Sequence, residues 1–143
     1  MLALGAGLAL AGAVSAEPFH EWAPGKGAIE IVTVKVDPNH VDDYLSGLAK
    51  SWVPDQEAAK KRGYISDYFV SVKANPGAGD NVILGTVYPS MAALDPDKAR
   101  FEAQRADALS RMSKEEGEKM VAGYDKYRSF ESDEIWRPVE FPK

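Results

Sequence analysis

No cysteine occurs anywhere in the 143 residues. That excludes a disulfide framework, a thiolate metal site, a cysteine nucleophile and a lipidated-cysteine anchor. Histidine is nearly as scarce: His20 and His40 are the whole supply. No metal-ligand spacing can be built from them, so no metal and no cofactor is expected. Positive charge is in deficit, with 17 Lys+Arg against 22 Asp+Glu and a net charge of −5. A nucleic-acid partner calls for a basic patch and an anionic lipid surface for a polybasic stretch, and neither is present. Long apolar runs are also missing. Leu2–Gly12 (LALGAGLALAG) falls short of the about 20 residues that cross a bilayer.

That short run has its own reading. It is uncharged and leads into Ala13-Val14-Ser15-Ala16, a small-residue site of the kind a signal peptidase reads. Three glycines and no polar face make it a poor core helix. Residues 1–16 are therefore expected to be a signal peptide, with a periplasmic or secreted location and no membrane association once it is removed. No Lys or Arg precedes the run, and a start codon upstream would supply that part. Residues 17–27 (EPFHEWAPGKG) lack periodicity and read as a surface leader. Residues 28–143 form the single domain. A chain 45% hydrophobic and 27% charged is of ordinary globular composition and long enough to bury a core.

Along that domain the signals alternate. Ala28–Val36 (AIEIVTVKV) is a strand by its β-branched content, with Val32, Val34 and Val36 on one face and Ile29 and Ile31 on the other. Apolar residues on both faces call for cover on both sides. Asp37-Pro38 starts a helix whose stripe is Val41, Leu45, Leu48 and Trp52, with Tyr44 at its edge. Pro54 is expected to kink or break it, a polar piece 55–62 follows, and Gly63 caps that. Residues 64–73 and 81–88 are strands of a hairpin around the Asn75–Asp80 turn. Pro89-Ser90 opens a helical region, and Asp95-Pro96 starts a helix to about Met112. Ser113-x-x-Glu116 is a capping box for a further helix through Tyr127. Residues 128–139 make a last, polar strand, whose Glu131, Asp133 and Glu134 read as a solvated edge.

The order β-α-β-β-α(α)-β is the split ferredoxin-like arrangement, a four-stranded antiparallel sheet with helices on one face. With its kinked first helix and two-faced first strand, the chain resembles the dimeric α+β-barrel superfamily, which includes antibiotic-biosynthesis-monooxygenase-like and stress-response barrel proteins. The resemblance spans Ala28 to about Val139 and is one of architecture. It implies a homodimer joined sheet to sheet. That superfamily hosts haem degraders, cofactor-free oxygenases and isomerases, and members of no known activity, so the fold leaves function open. Residues 89–127 contain no histidine to match a haem degrader's axial ligand.

Standard catalytic motifs are absent, and no residue is assigned as catalytic. The helical wheel of the second long helix places Leu94, Ala108 and Met112 close to Phe101, with Arg105 in the same stripe between Phe101 and Leu109. A guanidinium on an apolar face needs a partner. It either closes an internal ion pair, with Glu30 or Asp67, or recognises an anion. Trp52, Tyr68 and Trp136 either line an aromatic cavity or are ordinary core. His40 either is solvated surface or serves as a base. The expected ligand-binding set is thus Arg105, Trp52, Tyr68, Trp136, Glu30 and His40. The leading reading is an exported homodimer that holds a small aromatic or anionic molecule in a cavity between sheet and helices. The alternative is a cofactor-independent oxygenase or isomerase acting on a phenolic or enolisable substrate. There Arg105 would stabilise the enolate, and Glu30, Asp67 or His40 would act as base. A third reading has a filled cavity and a purely structural dimer.

Overall fold

A computed structural model describes residues 19–75 and 77–143; the expected signal peptide lies outside them. Four strands form one antiparallel sheet: β2 (Ala28–Val36), β3 (Asp67–Val72), β4 (Val82–Tyr88) and β5 (Arg128–Trp136), in the order β3-β4-β2-β5. The leader joins in as well. Its β1 (Ala23–Pro24) pairs with β6 (Val139–Glu140) in a small second sheet. With two crossover connections this is the ferredoxin-like α+β arrangement, and the helices lie on one face of the large sheet.

Register explains the two-faced strand. Val34 pairs with Val82 and Val32 with Leu84, so these side chains share the face that the helices cover. There Val34, Val36, Val82 and Leu84 meet Tyr44, Leu48 and Tyr124 in the core. Ile29 and Ile31 point the other way, with Val87 and Gly85 opposite them. On that same open face Phe69 is 39% exposed and Trp136 55%. A bulge at Glu131 separates Thr33↔Ser132 from Val34↔Phe130 in the β2–β5 pairing.

Asn81 extends the core where β4 begins. Its buried amide accepts from the Val36 N–H and donates to the Val36 carbonyl, both at 2.8 Å. Arg128, its side chain only 9% exposed, pairs with Asp125 at 2.9 Å. Its guanidinium stands over the rings of Phe130, Tyr124 and Tyr44 at 4.4, 5.2 and 5.9 Å. Ring faces and one carboxylate replace the water this cation gives up.

Helix ends follow their cap chemistry. Asp37 accepts from the Asn39 N–H, and a 3-10 turn at Pro38–His40 leads into α1 (Val41–Lys50). The break then falls at Ser51, ahead of Pro54, which differs from the sequence expectation. α2 (Trp52–Lys61) carries Pro54 in its first turn, where a missing N–H leaves no helical bond unmade. Gly63, at φ 74°, closes α2 with the Gly63→Lys60 and Tyr64→Ala59 backbone bonds of a Schellman motif. α3 (Lys98–Arg111) starts two residues later than Asp95-Pro96 suggests, because Asp97 accepts from the Arg100 N–H and takes the cap. α4 (Lys114–Tyr124) has the expected Ser113/Glu116 capping box and ends three residues before Tyr127.

One expectation about packing is overturned. α3 buries no residue: Phe101 is 62% exposed, Leu109 is 47% exposed, and Arg105 between them faces solvent. The helix docks on α2 along a different side, where Arg62 makes a two-pronged bond to Asp107 at 2.7 and 2.9 Å. Arg111 and Asp55 make a second ion pair across the same seam.

Candidate binding site

The sheet–helix interface does hold a pocket, of about 290 Å³, lined by Glu30, Gln56, Tyr64, Tyr88, Arg100 and Gln104 among others. Glu30 interrupts the apolar face of β2 and points to the helix side. Ala28 pairs with Tyr88 and Glu30 with Thr86, so Glu30 and Tyr88 are diagonal neighbours on one face. The Tyr88 hydroxyl donates to Glu30 Oε2 at 2.8 Å. Burial first, and then the bond and charge of Glu30, raise the Tyr88 pKa well above the ordinary phenol range. Tyr88 is therefore a phenol donor at neutral pH. Glu30 Oε1 makes no hydrogen bond among the described residues.

Arg100 forms the cationic wall. Its guanidinium donates to the Ala93 carbonyl at 2.7 Å and to the Asp95 carbonyl, which ties the 3-10 turn Met91–Leu94 to α3. Two of its five N–H groups are engaged in this way, and its charge lies close enough to Tyr88 to favour the phenolate slightly against the burial. Gln56 of α2, Gln104 of α3 and Tyr64 add neutral donors and acceptors. A carboxylate and a guanidinium face one polar space, which suits a small molecule carrying a donor at one end and an acceptor at the other.

Of the six residues expected from sequence, this pocket gathers Glu30 alone. Arg105 is exposed and lines a separate groove, of about 330 Å³, between α3 and the Asp55, Gln56 and Ala58 side of α2. Trp52 and Tyr68 meet edge to face at 5.6 Å, and the Tyr68 hydroxyl donates to Glu57 at 2.6 Å. Trp136 lies across the sheet from them, on the open face, so the three aromatics do not enclose one cavity. His40 stacks on Tyr127 with ring centroids 4.6 Å apart and bonds Asp43 at 3.0 Å. Asp67 pairs with Lys60 at 2.8 Å, which holds its carboxyl below the ordinary range.

Tyr88, Arg100 and Gln104 escaped the sequence reading. Tyr88 needed the β2–β4 register, and the two α3 residues needed the docking of α3 beside α2. The one local signal was Arg100 at the third position after the Asp97 cap.

No protein-family model and no curated protein sequence matches this chain. Among solved structures, the chain is similar to a dimeric ferredoxin-like protein from an uncultured marine organism. Identity is 14% and the TM-score 0.48, over 80% of this chain and 96% of that one. It is also similar to a dimeric protein of unknown function and ferredoxin-like fold from Bacteroides fragilis. There identity is 17% and the TM-score 0.40, over 80% of this chain and 95% of that one. The strand order of this chain itself defines its class, a ferredoxin-like α+β protein.

Proposed function

We propose that the protein is an exported, homodimeric binding protein whose site is the polar pocket between sheet and helices. The observation that carries this reading is the Glu30–Tyr88 pair at 2.8 Å, facing the same space as Arg100. Glu30 Oε1 takes a donor from the ligand, and Arg100 takes an acceptor. The ligand class is therefore a small polar molecule with an anionic or strongly accepting group. Ile29, Ile31, Phe69 and Trp136 on the open face are the reason for two copies packed sheet to sheet. Export rests on the small-residue site that ends at Ala16.

Thermal melting against a panel of small carboxylates, amino acids and phenols tests the site. A ligand that stabilises the wild type should lose its effect on Glu30→Gln and on Gln104→Leu, with both variants folded by circular dichroism. An equal shift in all three proteins would move the site elsewhere. Mass spectrometry of periplasmic protein should give a chain beginning at Glu17.

A base beside a cation is also what removal of an acidic proton requires, which keeps the cofactor-free isomerase reading as the second choice. Deuterium exchange from solvent into a bound enolisable ligand, lost in Glu30→Gln, would select it.

A further inference from the structure

The pocket between sheet and helices holds two charges of opposite sign, and neither is paired. Glu30 gives Oε2 to the Tyr88 hydroxyl at 2.8 Å and keeps Oε1 free of hydrogen bonds, and no cation among the described residues bridges to it. Arg100 gives two N–H groups to the Ala93 and Asp95 carbonyls, which are neutral, so its charge has no carboxylate. Both residues are half-buried. Elsewhere α2 and α3 close such pairs directly, as Arg62 does with Asp107 at 2.7 Å and Arg111 with Asp55. An unpaired charge withdrawn from water is costly, so two of them around one space call for a molecule that meets both.

The negative end is reinforced. Val32 pairs with Asp133 of β5, which puts Asp133 on the helix-side face of the sheet, near enough to act with Glu30 in raising the Tyr88 phenol. That end takes a cationic donor. The Tyr88 oxygen, whose proton goes to Glu30, keeps a lone pair for the same donor. At the other end, the N–H groups of Arg100 that the two carbonyls do not hold are left for an acceptor. Gln56 and Gln104, whose amides make no hydrogen bond among the described residues, line the same space.

This rests on the pocket as the binding site: we propose that its ligand is a free amino acid, with its ammonium on Glu30 and the Tyr88 oxygen and its carboxylate on Arg100. Such a zwitterion is neutral overall, as Glu30 and Arg100 are together. A simple anion would turn an uncharged end to Glu30, and a simple amine would leave Arg100 unmet. The two amides favour a polar side chain. A volume of about 290 Å³, at the about 30 Å³ that a water occupies in the liquid, is space for roughly ten atom-sized groups, as in glutamine.

The test is calorimetric titration of the full chain with L-glutamine, 4-carbamoylbutanoate (the same skeleton without the ammonium) and 4-aminobutanamide (without the carboxylate). L-Glutamine should bind with a Kd of about 1 mM or tighter, and each truncated analogue at least about tenfold more weakly. Glu30→Gln keeps an acceptor for Tyr88 and removes the charge. It should cut glutamine affinity about tenfold and erase the advantage over 4-carbamoylbutanoate, with the circular dichroism spectrum intact. Arg100→Gln should instead erase the advantage over 4-aminobutanamide. Either analogue matching glutamine on the wild type overturns the amino-acid assignment, as does failure of all three to bind, while the broader ligand panel still tests the pocket itself. Glutamine binding undiminished in Glu30→Gln puts the ligand elsewhere and overturns the pocket reading with it.

Discussion

Gly47 and Tyr124 share a contact so close that a Cβ on the glycine would fall 1.8 Å from the tyrosine oxygen and 2.6 Å from Cζ. Tyr124 meets Tyr44 edge to face at 5.1 Å and is backed by the Arg128 guanidinium. Neither backing group leaves it an easy retreat. The glycine is what lets the Tyr124 ring lie against α1. Gly47→Ala should destabilise the fold by about 1–2 kcal/mol: overpacking costs about 1–3 kcal/mol, and the helix recovers up to about 1 kcal/mol of propensity. In a Tyr124→Ala background the same change should cost nothing or stabilise, a coupling that urea denaturation of the four proteins measures.

Asn81 does the work of a missing strand residue by bonding both backbone groups of Val36. Val36 is 1% exposed, so water cannot replace the amide. Asn81→Ala should therefore cost about 2–4 kcal/mol, since two buried backbone groups lose their partner. An exchange experiment gives a second readout, with the Val36 amide proton losing protection ahead of its β2 neighbours.

Arg105 is expected to be silent. It is exposed on α3, so Arg105→Met should change stability by no more than about 0.5 kcal/mol. A loss above about 1 kcal/mol in chemical denaturation would mean that the guanidinium is engaged after all.

The open face of the sheet should determine the oligomeric state. Phe69 lies over Gly85 at its centre, where a Cβ on the glycine would stand 2.1 Å from Phe69 Cζ. Phe69→Lys places a charge in the middle of the proposed interface and should give a monomer by sedimentation at micromolar concentration. Phe101→Lys, at a residue 62% exposed on α3 and away from this face, should leave the dimer intact.

Alkaline pH should unfold the protein through its buried phenols. Burial raises the pKa of Tyr44, Tyr88 and Tyr124 above the ordinary 10.0. The folded state thus holds protons that the unfolded chain releases near pH 10. Stability from these groups is fully present below pH 10 and is lost as the pH rises from there through the folded values. Phenolate absorbance should appear late and together with the loss of circular dichroism, whereas Tyr88→Phe should shift the alkaline unfolding midpoint upward.

Local chemistry in the sequence determined much of this molecule. The period-2 pattern of 28–36 set both faces of β2, the capping box set the start of α4, and Gly63 set the end of α2. In each case the cause lies within a few residues of its effect. Glu30 was also legible as a candidate, because one carboxylate in an apolar strand stands out. Tertiary structure alone decided what Glu30 meets. Tyr88 reaches it through strand register, a property of two segments 58 residues apart. Arg100 reaches the pocket through the docking of α3 on α2, which leaves Phe101, Arg105 and Leu109 largely exposed. A helical wheel shows which residues share a side of a helix. Which side is buried depends on the partner surface, which is supplied by another element and is not written in the helix itself.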